Sequence, residues 1–295
     1  GGARPVCWPT MCKHDPSFTE ADCVYSPSHW TVDGAEPAQA MNRFVAGLTA
    51  SVARVKAMTP STLQVHKFGD DEREAFDIYG PLKTDSLFIW IHGGYWQEGV
   101  REHVAPVVEQ MLAGGITVVS VGYRLSSPNR PVSALIYDVA ATIEKVLALF
   151  PDTGRIVVGG HSAGGHLAYK VCALLKSSRI TGIALVAGIF DLTELQPTVI
   201  GTPIGMTAED ALESSCRADE YSEGEIEALF LVGDCDTPRF RSQAIELHDG
   251  LKARKIKSQW VELPNVDHFT IIEGLSIEST KQTKLLKKFC SIQSL

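Results

Sequence analysis

Gly160-His161-Ser162-Ala163-Gly164 sets a serine between glycines, after the apolar run Ile156-Val157-Val158 and before a stretch of helical character. A G-x-S-x-G sequence in that setting fits a sharp strand-to-helix turn that lifts a serine hydroxyl above a sheet for attack on an acyl carbon. The turn strains the serine backbone, so its neighbours must be small, and the following helix aims its first N–H groups at the centre where negative charge develops. Earlier in the chain, His92-Gly93-Gly94-Tyr95-Trp96 directly follows the run Leu87 to Ile91. Glycines there let backbone N–H donors converge on a developing oxyanion, and Gly94 and Tyr95, with Ala163 after the serine, are the candidate donors.

A serine nucleophile of this kind needs a histidine base and an acid that orients it, in the chain order Ser, acid, His. His268, in Asn265-Val266-Asp267-His268-Phe269 after a strand-like run, fits the base. His161 and His166 are too near the serine to curl back onto it, His248 falls in a helical stretch, and His92 precedes the candidate oxyanion glycines. For the acid, Asp234 and Asp236 both end the run Leu229 to Gly233, and Asp191 follows another strand-like run. Periodicity alone leaves these three open.

These residues need a sheet to carry them. Eight strand-like runs, 62–68, 75–79, 86–91, 116–123, 155–159, 180–187, 226–232 and 258–263, alternate from the third onward with helical stretches at 102–112, 132–150, 165–175, 242–253 and 280–290. That rhythm predicts an α/β fold with a mostly parallel central sheet flanked by helices, as one domain over residues 1–295. Residues 1–40 lack periodicity and read as an arm across the domain; residues 191–225, rich in Thr, Ser, Glu and Asp, read as a lid inserted between two strands.

The 295 residues are 44% hydrophobic and 21% charged, the composition of a packed globular chain. With 27 basic against 35 acidic residues the net charge is −8, which argues against nucleic-acid or anionic-membrane partners. No apolar run approaches the roughly 18 residues of a membrane helix, and residues 1–5 carry no secretory apolar core. The seven cysteines are scattered and odd in number, so free thiols in a reducing, cytosolic setting are expected. Cys7, Cys12, His14 and Cys23 match no usual zinc spacing, and Gly159-Gly160 lacks the Lys-Ser/Thr of a phosphate loop. No metal or other cofactor is expected. A homodimer is left open.

The chain resembles the kynurenine formamidases (arylformamidases) of the α/β-hydrolase superfamily. The likeness runs over nearly its whole length, through Tyr25-Ser26-Pro27-Ser28-His29-Trp30, Asp77-Ile78-Tyr79, His92-Gly93-Gly94-Tyr95-Trp96-Gln97, Gly160-His161-Ser162-Ala163-Gly164, Gly188-Ile189-Phe190-Asp191-Leu192 and Val266-Asp267-His268-Phe269. The family's acid lies in a Val-Gly-x-x-Asp-Ser-Pro-x-Phe pattern, which Val232-Gly233-Asp234-Cys235-Asp236-Thr237-Pro238-Arg239-Phe240 matches, so the resemblance implies Asp236. Cys235, Gly165 and Thr270 depart from the residues common there, without removing a triad member.

What the resemblance implies is a serine hydrolase with the triad Ser162, Asp236 and His268, which cleaves N-formyl-L-kynurenine to formate and L-kynurenine in tryptophan breakdown. Tyr95 and Trp96 are candidates to line an aromatic substrate pocket, with the leaving group under the 191–225 lid; Trp90 and Trp260 read as core. Two rivals remain, a general carboxylesterase or acylamidase of the same fold and a binding protein with little turnover.

Overall fold

Leu87-Phe88-Ile89-Trp90-Ile91 is apolar without alternation because both of its faces are covered, and the computed structural model, which describes residues 16–292, buries all five. Odd and even positions divide between two cores. Leu87, Ile89 and Ile91 join one, and Phe88 and Trp90 the other. The same division recurs in Ile183 and Leu185 against Ala184 and Val186, and in Phe230 and Val232 against Leu229 and Leu231. One sheet therefore separates two apolar layers.

The strands are β1 (Leu63–Lys67), β2 (Ala75–Tyr79), β3 (Ser86–Ile91), β4 (Thr117–Val121), β5 (Arg155–His161), β6 (Gly182–Val186), β7 (Glu227–Gly233) and β8 (Lys257–Leu263). Their order is β1-β2-β4-β3-β5-β6-β7-β8; β2 is antiparallel to both of its neighbours and every other pairing is parallel. The expected mostly parallel eight-stranded α/β sheet is present. Strand order reverses beside β3, whose partners β4 and β5 lie on opposite sides, and such a switch point opens a crevice at the carboxyl ends of the strands.

The helices are α1 (Glu20–Val24), α2 (Pro37–Met58), α3 (Ala105–Ala113), α4 (Val132–Leu149), α5 (Ala163–Leu175), α6 (Ala208–Ser214), α7 (Pro238–Ala253), α8 (Thr270–Gly274) and α9 (Lys281–Cys290). Residues of α4, α5 and α7 pack in the first core, and residues of α2, α3, α8 and α9 in the second. The 22-residue α2 has no counterpart in the sequence reading, which ends an irregular arm at residue 40. Its buried face, Ala40, Leu48, Ser51 and Val55 with Phe44 beside it, follows helical spacing, diluted by the alanines between.

One other expectation shifts. Cys172, Cys216, Cys235 and Cys290 are free thiols, whereas Cys23 is disulfide-bonded, so the free-thiol reading does not hold at Cys23. Cys7, Cys12 and His14 lie outside the described residues. The 191–225 segment, read as an inserted lid, is tied to the body through Asp210, whose carboxylate accepts from Val132 N and Ser133 N, both at 3.0 Å, at the start of α4. No helix among the described residues is long and apolar enough to cross a membrane.

Candidate active site

The switch point between β3 and β5 carries both glycine motifs. Ile91 pairs with Gly160 near the ends of these strands, so His92-Gly93-Gly94 and Ser162 leave the sheet side by side. A Cβ on Gly160 would strike the Ile91 carbonyl and come 2.5 Å from Gly164, so only glycine lets strand, turn and helix meet this closely. Ser162 sits at φ 56°, ψ −119°, a conformation that L residues avoid, pinned by its own N–H donating to Val186 O at 2.9 Å. It precedes Ala163, the first residue of α5.

Asp236 and His268 come from the ends of the next strands. Asp236 lies after β7, and its Oδ2 is 2.9 Å from His268 Nδ1 in a buried pair. Its Oδ1 accepts from Thr237 N at 2.6 Å, which fixes the carboxylate rotamer. With Nδ1 engaged, Nε2 is the nitrogen left to His268 for proton transfer. Of the three acids left open by sequence periodicity, the structure brings Asp236 to the histidine. Asp234 instead takes the Cys235 thiol, and Asp191 accepts from Thr193 N at 2.9 Å.

Ser162 and His268 line one cavity of about 320 Å³, together with His92, Gly93, Gly94 and Tyr95. Gly93 packs hardest on the serine: a Cβ there would stand 3.3 Å from Ser162 Cβ and 2.7 Å from His161 O. The N–H groups of Gly93, Gly94, Tyr95 and Ala163 donate to no protein acceptor among the described residues. Four unspent donors around a strained serine can receive an oxyanion, and Gly93 is the one the sequence reading passes over.

Tyr95 lines the cavity, and its phenol donates to Tyr25 O at 2.5 Å; burial and the charge of Asp236 push that phenol's pKa well up. Trp96 does not reach the cavity. It is fully buried, and its indole N–H donates to His166 Nδ1 at 3.1 Å. His166 in turn holds Ser214 O at 2.7 Å through Nε2, so this histidine is structural, and burial drives its pKa down to about 4. His161 holds the carbonyl of His268 at 2.9 Å, its ring centroid 4.5 Å from that of His268, and is neutral through burial. His92 is also buried and neutral, its pKa lowered to about 3 by desolvation.

The cavity roof comes from the amino-terminal part of the chain. Tyr25 to Ser28 and Met41, Phe44 and Leu48 of α2 line it, whereas Ile200 is the contribution of the 191–225 segment. The aromatic and aliphatic surface suits an aryl group, and most of it comes from the amino-terminal residues, with Ile200 from the 191–225 segment that the sequence reading expects over the leaving group.

A family model described as alpha/beta hydrolase fold matches residues 88–272, spanning the glycine motifs, Asp236 and His268. The chain is 29% identical to a kynurenine formamidase of Danio rerio over 95% of its length and 97% of that protein. It is likewise 29% identical to one of Salmo salar, over 93% and 97%. Among solved structures it is similar to a putative thioesterase from Silicibacter (TM-score 0.78, 22% identity, 92% of this chain and 99% of that one). It is also similar to an esterase from Pyrobaculum calidifontis (TM-score 0.69, 19% identity, 86% and 94%). Strand order, strained serine and matched span agree: the chain belongs to the α/β hydrolase fold family.

Proposed function

We propose that the protein is an arylformamidase that hydrolyses N-formyl-L-kynurenine to formate and L-kynurenine, a step of tryptophan breakdown, through a Ser162-His268-Asp236 triad. The observation that carries the reading is a strained Ser162 sharing a largely apolar cavity with a His268 whose Nδ1 is held by Asp236. The near full-length likeness to kynurenine formamidases supplies the substrate class.

Ser162 Oγ attacks the formyl carbon while His268 Nε2 takes its proton, and Asp236 stabilises the imidazolium. The oxyanion is received by Ala163 N–H and by the loop amides from Gly93 through Tyr95. Collapse breaks the C–N bond, and His268 returns the proton to the departing aryl amine. Water, deprotonated by His268, then attacks the formyl ester; formate leaves and Ser162 regains its proton. Formyl carries no side chain, so the reacting end needs little room, while the roof from Tyr25 and α2 receives the aryl group.

A second reading, a carboxylesterase, has its own support: the chain is 35% identical to a carboxylesterase of Mycobacterium tuberculosis, over 32% of each protein. The discriminating experiment compares kcat/KM for N-formyl-L-kynurenine with that for phenyl acetate. A clear preference for the formamide supports the proposal; turnover of the ester alone moves the assignment to the esterase reading.

A further inference from the structure

Asp267, immediately before His268, is buried and lies outside the cavity. Its Oδ1 accepts from Phe269 N at 2.9 Å, Thr270 N at 2.8 Å and Thr270 Oγ1 at 3.0 Å, which closes the loop beyond His268 into a tight turn. Its Oδ2 accepts from Val32 N at 3.0 Å, a residue far away in sequence. The backbone on both sides of the candidate base is thus gathered on one carboxylate, and the remaining oxygen of that carboxylate is spent on the amino-terminal segment.

That segment is anchored in three more places. Tyr25 O receives the Tyr95 phenol from the oxyanion loop, Tyr25 Oη is within 2.9 Å of both Glu194 and Gln243, and Asp22 accepts from Val199 N at 2.8 Å. Residues 19–34 therefore form a strap across the cavity, with attachments to the oxyanion loop, to the 191–225 segment and, through Asp267, to the histidine loop.

We propose that Asp267 is a positioning residue that sets the imidazole of His268 over Ser162, and that the strap of residues 19–34 acts on the base through it. The proposal rests on the triad of the proposed function but not on its substrate. A carboxylate serves where an amide does not: in Asp267→Asn the side chain would keep one oxygen for the three local donors, but its NH2 would face Val32 N–H, donor against donor. Asp267→Asn thus detaches the strap, and Asp267→Ala also frees the turn. Misplacing a base by about 1 Å can cost about 10²-fold in rate.

The test measures kcat and KM on an aryl formamide and, separately, the rate at which a fluorophosphonate labels Ser162, for the wild type, Asp267→Asn, Asp267→Ala and Val32→Pro. Val32 is the second residue of a turn closed by Gly34 N donating to Thr31 O at 3.2 Å, where proline is favoured, so Val32→Pro deletes the N–H and spares Asp267. Expected are losses in kcat of about 10-fold for Asp267→Asn and Val32→Pro and about 10²-fold for Asp267→Ala, with KM within about twofold and labelling slowed in parallel. Wild-type kcat and labelling in Asp267→Asn and Val32→Pro, with only the melting temperature lowered, would overturn the proposal. Slow formamide turnover with normal labelling in the wild type itself would instead count against the formamidase reading.

Discussion

His92, His161 and His166 are buried, and desolvation lowers all three pKa values, to about 3 for His92 and about 4 for His166. An unfolded histidine titrates near 6.5. Between that value and the folded ones, the unfolded chain binds protons that the folded chain refuses, so acid favours unfolding. From pH 7 to pH 5 His92 and His166 each cost about 2 kcal/mol, because the unfolded state gains roughly 1.4 kcal/mol per pH unit below 6.5. His92 and His166 together lower stability by about 4 kcal/mol, a large share of the total for a domain, and His161 adds to the loss in the same direction. Asp77 and Glu273, whose carboxyl pKa values are raised by burial, work in the opposite direction and reduce the net loss.

His166→Gln isolates one contribution. The Gln carbonyl takes over the Trp96 indole and its NH2 the Ser214 carbonyl, and the group no longer titrates. Urea unfolding at pH 7 and pH 5 should give a pH-dependent loss about 2 kcal/mol smaller in the variant than in the wild type. Equal losses in the two proteins would refute the assignment of His166 as a buried neutral histidine.

The remaining predictions concern the site. Asp236→Asn should lower kcat on the order of 10⁴-fold with the fold intact by circular dichroism, since an amide no longer fixes the His268 tautomer, whereas Asp234→Asn should change kcat by less than about threefold; the reverse pattern would move the acid. Gly93→Ala brings a methyl 2.7 Å from His161 O and against Ser162, and should reduce kcat by about 10² or more, read from pre-steady-state release of aryl amine; near wild-type release would remove Gly93 from the site. Phe44→Ala opens the roof, and should raise KM for aryl substrates by about tenfold while leaving that for ethyl formate within about twofold, with equal effects on both contradicting an aryl-binding roof.

The sheet is legible in the sequence because its central strands are continuous apolar runs bounded by glycine, and period and length then agree. The serine is legible because it stands at the end of such a run, and the histidine because it follows the strand-like run 258–263 in the chain order that the triad requires. Choosing Asp236 over Asp234 needs either a family pattern or three dimensions: two residues at one strand end differ only in how the chain turns, and Thr237 N holds one carboxylate while Cys235 engages the other. Trp96 reads as a pocket residue because it follows Tyr95, but a positive φ at both residues turns the indole inward to His166. The roof escapes detection because α2 presents a sparse apolar face, and because the contacts that place Tyr25 and Val32 span long sequence separations. Gly93 is passed over in favour of its neighbours, since a loop sequence does not show which amide meets the serine.

The central claim is that Ser162 carries the acyl group. The most direct measurement is rapid-quench mass spectrometry of the protein during turnover of N-formyl-L-kynurenine, with formate and L-kynurenine quantified alongside. The account predicts a formyl adduct on the peptide bearing Ser162, equimolar products, and neither adduct nor turnover in Ser162→Ala. Sustained formate release by Ser162→Ala would contradict it.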